Sequence, residues 1–153
     1  MNGNRDLALL VLRLALGTIM MAHGSQKMLG WFDGPGPQGF VGWMSSMGVP
    51  APFAWLAMLV ELVGGVCVFL GAFARLAALG FAVNMLVAMF MVHWKNGFFL
   101  GGPGGPGIEY VFMLLAASLA IAIAGPGAYA VAPQFEARLF SPRRAQRPIQ
   151  RAA

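Results

Sequence analysis

Four long apolar runs dominate the order of hydrophobic and polar positions along the chain. They cover residues 7–22, 53–73, 74–92 and 108–124. A helix needs about 20 apolar residues to cross the hydrocarbon core of a bilayer, with a range of about 17 to 25. Each run is near that length, although the first is the shortest and reaches it only if the helix continues through His23. The pattern therefore predicts an all-α fold, a transmembrane bundle of four helices.

The connections after the first and third runs differ in composition. In the first of them, residues 24–52, the DGPGPQG centre must turn because Pro and Gly interrupt regular structure. The FVGWMSSMG segment that follows carries apolar side chains at helical spacing, which predicts a short interfacial helix. The other connection, GGPGGPG, contains the letters of a nucleotide-binding motif. No strand precedes it and no GK[ST] follows, so we interpret it as a flexible or turning loop.

The distribution of lysine and arginine predicts how the helices are oriented. With four spans, the N-terminus, the second connection and the C-terminus share one side of the membrane. Two basic residues, Lys27 and Lys95, lie on the opposite side. The first side carries seven: Arg5, Arg75, Arg138, Arg143, Arg144, Arg147 and Arg151. Because cytoplasmic flanks are enriched in basic residues, we expect both termini in the cytoplasm. We expect a transmembrane domain over 1–130 and a basic cytoplasmic tail over 131–153.

Composition agrees with a membrane protein and argues against several other classes. The chain is 59% hydrophobic and 10% charged, whereas a soluble domain carries about a quarter charged residues. Its net charge of +5 needs no nucleic-acid partner, because a basic tail suits a cytoplasmic flank and can hold anionic lipid headgroups. The single cysteine, Cys67, excludes an intramolecular disulfide. We expect no metal site either, since His23 and His93 lack the spacing of a ligand pair.

Arg13, Glu61 and Asn84 are charged or amide residues well inside the predicted spans. At about 1.5 Å per residue, Glu61 and Asn84 lie near the middle of the bilayer, and Arg13 is within reach of them. An unpaired charge there costs at least about 2.5–3.5 kcal/mol, so we expect the three to form an intramembrane network. Such a network also has a purely architectural explanation, because a buried ion pair does not by itself indicate a function.

A second polar group is predicted at the outer end of the bundle, in the segment MMAHGSQKMLGWF and at the start of the fourth run. It consists of His23, Gln26, Lys27 and Glu109. These side chains suit a carbonyl compound or a quinone headgroup, and histidine can exchange a proton near neutral pH. We expect them to form a ligand site in which Glu109 accepts a proton or orients Lys27. The alternative is a polar rim within an ordinary aromatic belt.

A lower-ranked outer site consists of His93, Asn96 and Tyr110. His93 lies nine residues after Asn84, which is about 180° around a regular helix. Both side chains can therefore face one interior only if the third helix ends or bends before His93.

Four segments of the chain resemble the DoxX family of small bacterial membrane proteins. They are RLALGTIMMAHGSQKMLGWFDGPG, GVPAPFAWLAMLVELVGG, NMLVAMFMVHWKNGFF and EYVFMLLAASLAIAIAGPGAY. The resemblance runs from residue 7 to residue 129 and implies four transmembrane helices in the bacterial cytoplasmic membrane. It also implies redox-linked work, since the family is named after a subunit of a thiosulfate:quinone oxidoreductase and other members associate with oxidoreductase partners. It assigns no catalytic residues.

These observations lead to one hypothesis and two alternatives. We expect a membrane subunit with a redox-linked role that binds a quinone-like lipophile or an oxidoreductase partner, such as a respiratory complex, at the outer end of the bundle. No flavin or haem motif is evident, so electron transfer would need a quinone or a partner. The alternatives are a non-enzymatic accessory subunit of a larger complex and a small-solute or proton pathway. The sequence is compatible with an enzyme or a non-enzyme, and with a homo-oligomer.

Overall fold

The protein is all-α in the computed structural model, which describes residues 3–102 and 104–132. Five α-helices lie within these residues: α1 (Gly3–Leu29), α2 (Gly36–Ser46), α3 (Ala51–Leu70), α4 (Ala74–Ala88) and α5 (Glu109–Ala124). A π-helical turn, Met89–His93, and a 3-10 turn, Trp94–Asn96, continue α4. The same residues contain no strand, and only Gly102 and Gly105 form an isolated bridge.

Three helical segments of the described chain are long and apolar enough to cross a membrane: α1, α3 and the continuous stretch Ala74–Asn96. α3 has 20 residues, which gives a length of about 30 Å and matches the hydrocarbon core of a bilayer. α5 is shorter, with 16 residues. With several apolar helices of this kind, the chain is an integral membrane protein.

α1 and α3 pack against each other along much of their length through small residues. A Cβ added at Gly24 of α1 would lie 2.5 Å from the backbone nitrogen of Leu62. A Cβ at Gly65 of α3 would lie 2.8 Å from the backbone nitrogen of Met21, and Gly17 faces α3 in the same way. Small residues let membrane helices approach closely, and packing then replaces the hydrophobic driving force that lipid removes.

α4 contributes to the main core together with α1 and α5. Phe81 of α4 is buried in one cluster with Leu16 and Met20 of α1 and Leu114 of α5. Positions that point away from this cluster, such as Val83, are exposed and still apolar. Exposed apolar side chains are expected where a helix faces lipid instead of water.

Both ends of α5 are tied to neighbouring segments. At its start, Glu109 Oε1 accepts a hydrogen bond from the Leu100 N–H at 2.7 Å. At its end, Arg75 Nη1 donates to the carbonyl oxygens of Ala122 and Ile123 at 2.7 and 2.9 Å. A basic side chain there satisfies carbonyls that have no helical partner and complements the helix dipole. Since Arg75 is near the start of α4, α5 runs antiparallel to α4 along its whole length.

The segment after α5 folds back over the end of the molecule where α4 begins, which we call the Arg75 end. The Tyr129 carbonyl accepts a hydrogen bond from Arg13 Nη2 at 2.6 Å. The Ala128 N–H donates to Asp6 Oδ1 at 3.1 Å. From residue 133 onward, the predicted basic tail lies outside the described residues.

α1 is longer than its apolar run indicated. It continues to Leu29, so that Gln26 and Lys27 lie in its last turns and not in a loop. No proline interrupts these turns, and the helix ends where Gly30 adopts a φ of +70°. We call this end of the molecule the Lys27 end.

α2 begins earlier than expected, at Gly36 inside the DGPGPQG segment. Pro37 lies in its first turn, where the missing N–H costs no helical hydrogen bond. A helix over most of the FVGWMSSMG segment is thus confirmed, with an earlier start and an end at Ser46, and its position at the membrane interface stays a prediction.

Candidate functional site

The last turns of α1 bring Lys27 to Glu61 of α3. Lys27 Nζ lies 2.6 Å from both carboxylate oxygens of Glu61 and donates a hydrogen bond to each. The Glu61 side chain is 4% exposed and that of Lys27 is 23% exposed. The ring of Phe40, on α2, has its centroid 5.0 Å from the same ammonium and adds a cation–π contact. Lys27 therefore lies between a buried carboxylate and an aromatic face.

A cavity of about 320 Å³ lies beside this ion pair. Lys27, Glu61, Asn84 and His93 line it with charged or polar groups. Its other walls come mainly from α2 and from the last turns of α4: Phe40, Trp43, Met44, Met47, Val87, Ala88, Met91 and Val92. An apolar space with a few convergent polar groups is the usual form of a small-molecule site. Among the described residues, no three His, Cys, Asp or Glu side chains are grouped so as to hold a metal ion.

Asn84 reaches the cavity from α4. Its Nδ2 donates a hydrogen bond to the Ala57 carbonyl of α3 at 3.2 Å. This bond links the two helices and fixes the plane of the amide, whose Oδ1 is then the remaining acceptor. Glu61 and Asn84 thus line one cavity, as the sequence indicated for a shared interior, although no hydrogen bond joins them within the described residues.

The π-helical turn explains how His93 and Asn84 line the same cavity. On a regular α-helix their nine-residue separation corresponds to about 180°. The wider turn at Met89–His93 takes up one residue more than an α turn, which brings His93 to about 80° from Asn84. The bend that the sequence required before His93 is this turn. Single π turns are frequent at functional sites.

The glycine-rich connection before α5 holds the His93 ring in place. His93 Nδ1 lies 2.8 Å from the Pro106 carbonyl oxygen, and Asn96 Nδ2 donates to the same oxygen at 3.0 Å. A carbonyl only accepts, so Nδ1 carries a proton and Nε2 of the neutral ring is an acceptor. The connection is folded closely, since a Cβ at Gly107 would lie 2.5 Å from the Gly97 carbonyl oxygen.

Of the four residues predicted for the outer ligand site, one lines the cavity. Lys27 lines the cavity, whereas His23, Gln26 and Glu109 do not. The His23 ring lies on α1 with its centroid 6.2 Å from that of Tyr110. Glu109 accepts a backbone N–H of the preceding connection, while Lys27 donates to α3. The cavity therefore combines Lys27 with the lower-ranked histidine, and a ligand site at His23 stays a prediction.

Arg13 lies at a different level of the molecule from Glu61. Its side chain is fully buried, donates to the Tyr129 carbonyl and packs against Gly71 at the end of α3. Glu61 is ten residues before Gly71, which is about 15 Å along a helix.

The predicted pairing of Arg13 with Glu61 and Asn84 is therefore corrected. Lys27 is the partner of Glu61, because α1 and α3 are antiparallel and α1 continues far enough to carry Lys27 to the level of Glu61. The sequence pattern placed Lys27 in the connection after the first helix, so Lys27 was not considered as a partner of Glu61.

The sequence interpretation missed the contribution of α2 to the site. Phe40 and Met44 are buried against α3 and line the cavity, in addition to any role at a membrane surface. The available signal was their spacing with Met47, since apolar residues at i, i+4 and i+7 form one helix face that must pack against a partner.

Comparison with known proteins assigns this arrangement to a family. The DoxX family model matches residues 8–94, a range that includes all four polar residues of the cavity. This chain belongs to the DoxX family.

Several relatives of this DoxX-family protein are similar over most of their length. "Putative oxidoreductase CatD" of Bacillus subtilis (strain 168) is 30% identical over 133 residues, which cover 87% of this chain and 90% of the relative. "Inner membrane protein YphA" of Escherichia coli (strain K12) is 32% identical over 128 residues, 81% of this chain and 87% of the relative. "Inner membrane protein YqjF" of the same organism is 29% identical over 126 residues, 82% and 90%. No solved structure matches the chain.

Proposed function

We propose that this DoxX-family protein is a membrane subunit that binds a quinone-like lipophile in the cavity beside Lys27 and Glu61, in a redox-linked role. The observation that carries the proposal is the cavity, with apolar walls and four polar side chains in about 320 Å³. This volume lies at the lower end of the range of about 300–1,000 Å³ for small-molecule sites, which suits a single headgroup ring. The name of the Bacillus subtilis relative, "Putative oxidoreductase CatD", supports the redox part.

Lys27 is the residue we expect to contact an acceptor oxygen of the ligand. An ammonium has three donors, and two hydrogen bonds go to Glu61. The third donor is available to the cavity, where Lys27 can stabilise negative charge that develops on the oxygen.

His93 is the residue we expect to exchange a proton with the ligand. The Pro106 carbonyl occupies Nδ1, so Nε2 is the nitrogen that can accept a hydrogen bond from a hydroxyl or, when protonated, donate one. Asn84 supplies an amide to the same cavity. A bound quinone would itself carry electrons and protons. The electrons themselves would come from an oxidoreductase partner, because these side chains bind and move protons only.

The membrane arrangement that we propose has four spans, with α5 as the fourth. In its support, α5 runs the full length of α4, with Glu109 bonded near the Lys27 end and its last carbonyls bonded to Arg75. The Arg75 end and both termini lie in the cytoplasm, as the distribution of basic residues favours. α2 lies at the opposite surface of a bacterial inner membrane. Its exposed Trp43 suits the interface between lipid and water.

The experiment is a measurement of affinity for a tailless quinone, dimethoxy-methyl-benzoquinone, with purified protein in detergent. Lys27→Met alone would leave Glu61 buried without its cation, so we pair it with Glu61→Gln to keep the site neutral and folded. Asn84→Val tests the cavity from another helix. Lys95→Met is the matched control, because Lys95 is also near the Lys27 end but is exposed and does not line the cavity.

We expect the double variant to lose about tenfold or more in affinity, the loss of one charge-assisted hydrogen bond, and Asn84→Val to lose about fivefold, the loss of one neutral hydrogen bond of about 1 kcal/mol. Lys95→Met should bind like the wild type. Equal affinity in all four proteins, or no binding in any of them, would contradict the proposal and favour an accessory subunit without a ligand.

A further inference from the structure

A second space lies on the lipid-facing side of the contact between α3 and α4. It is an open groove of about 590 Å³ whose walls are almost entirely apolar. Val60, Val63 and Cys67 line it from α3, and Ala77 and Val83 line it from α4. Gly80 lies at its floor, where its missing side chain leaves room for Val60. The described residues that line the groove include no charged, amide or hydroxyl side chain, so the groove suits an apolar ligand.

The groove continues the direction of the polar cavity along the same two helices. On α4, Val83 lines the groove and Val87, one turn further on, lines the cavity. On α3, Val60 lines the groove and Ala57, one turn back, lines the cavity. Residues three or four apart lie on one helix face. The Asn84–Ala57 hydrogen bond joins α4 to α3 at the level between the residues that line the groove and those that line the cavity.

We propose that the α3–α4 groove holds the hydrocarbon tail of the lipophile whose headgroup occupies the cavity. This inference rests on the proposed function and adds the class of ligand: one weakly polar, uncharged headgroup ring on a single long chain, such as an isoprenoid or alkyl tail. A small soluble quinone would use the cavity alone.

Depth in the membrane supports a single-chain lipophile over a phospholipid. Glu61 lies ten residues into α3, about 15 Å from its start, so the cavity reaches toward the middle of a core about 30 Å thick. A phosphate headgroup would lose its hydration there, whereas the free-energy cost of desolvation is much smaller for an uncharged ring. From Phe73, just before α4, to Val83 the groove extends along ten residues of the chain. This is about 15 Å, enough for a tail to cross the remaining half of the core.

Lipid or detergent already solvates the tail when the ligand is unbound. The groove therefore increases affinity through van der Waals contacts and not through a hydrophobic driving force. Many weak dispersion contacts with a shaped surface then favour the bound tail over a fluid environment. The expected gain is therefore modest and must be measured in one fixed detergent.

The test compares the tailless quinone with its decyl derivative in matched variants. Val63→Trp and Val83→Trp fill the groove from its two walls. Val66→Trp and Leu86→Trp are their controls, since these residues are also exposed on α3 and α4 but line neither space. All four positions face lipid, so each tryptophan should be tolerated by the fold, which an unfolding midpoint checks.

In the wild type and in both controls, we expect the decyl derivative to bind at least about fivefold more tightly than the tailless quinone. In Val63→Trp and Val83→Trp this ratio should fall to less than about twofold, with the tailless affinity unchanged. Equal affinities for both quinones in the wild type would overturn the groove proposal and leave the cavity proposal standing. Failure of both quinones to bind would overturn both.

Two further outcomes would also overturn the groove proposal. One is an equal loss of the chain-length effect in groove and control variants, which would indicate a general change in detergent binding. The other is an unchanged chain-length effect with a change of oligomeric mass in the groove variants alone, which would assign the groove to a second copy of the chain. As an independent readout, the decyl derivative should slow alkylation of Cys67 by a membrane-permeant maleimide, and the tailless quinone should not.

Discussion

Lys27 Nζ lies 2.6 Å from both carboxylate oxygens of Glu61, and this ion pair joins the last turns of α1 to the middle of α3. Glu61 is almost completely buried, so its charge has little water to stabilise it. Taking one member of a buried pair away leaves the other without compensation, which is more costly than taking both. The pair is therefore both a polar feature of the cavity and a constraint on the fold.

Glu61→Gln should destabilise the protein by about 3 kcal/mol, the low end for buried pairs, because Lys27 keeps 23% exposure and some hydration. Adding Lys27→Met should restore much of this loss, since the cation is removed as well. The measurement is unfolding of the purified protein by SDS in mixed micelles. Adding Arg13→Met instead should give the sum of the two single effects, because Arg13 and Glu61 lie at different levels. Recovery with Arg13→Met and none with Lys27→Met would restore the pairing first expected from the sequence.

The sequence predicted the main features of the fold because they depend on local patterns. Run length and hydropathy located the long helices, and helical spacing located α2. The partner of Glu61 was beyond this reasoning, because it depended on where α1 ends. Polar residues near the end of an apolar run do not stop a helix, and the stop came only at Gly30.

The sequence could predict only under which condition His93 and Asn84 face the same interior. Helical phase showed that His93 and Asn84 need a bend between them, but the MFMVH segment has no sequence signal for a π turn. The Pro106 carbonyl that fixes the His93 ring comes from a glycine-rich connection, whose path depends on tertiary contacts. For this reason the sequence ranked His23 above His93, while the cavity contains His93.

Gly24→Ala should destabilise the protein by about 1–3 kcal/mol, the usual cost of overpacking. The added Cβ would lie 2.5 Å from the Leu62 backbone nitrogen, and backbone cannot move aside as a flexible side chain can. Gly42→Ala is the matched control, because Gly42 is a helical glycine of α2 with nothing within 4 Å of the added Cβ. It should be neutral or stabilising by up to about 1 kcal/mol. Equal midpoints for both variants in SDS unfolding would contradict the close contact of α1 with α3.

Reporter fusions should place the two ends of the molecule in different compartments. A reporter that is active only in the cytoplasm should work after Ala72 and after Arg151, and should fail after Gly36 and after Gly104. The reason is that basic residues favour the cytoplasmic side and α5 returns the chain to it. Reporter activity after Gly104 would show that the third span does not carry the chain to the outer side. Loss of activity after Arg151 alone would show that α5 does not cross the membrane. The full set therefore tests the number of spans and their orientation separately.

The two histidines give the sharpest test of where a ligand binds. His93→Gln should weaken binding of the reduced form, the tailless hydroquinone, by about tenfold, the loss of one hydrogen bond of about 1.4 kcal/mol, because His93 lines the cavity and its Nε2 can accept a hydrogen bond from a hydroxyl of that ligand. His23→Gln should change the affinity by less than about twofold, since His23 lies beside Tyr110 and does not line the cavity. Both variants keep a polar side chain, so both should unfold near the wild-type midpoint. The opposite result, a loss at His23 and none at His93, would return the ligand site to the segment first chosen from the sequence. In that case the quinone would bind on the side of α1 that faces Tyr110 and not in the cavity beside Lys27, and the Asn84→Val variant should bind quinone as the wild type does.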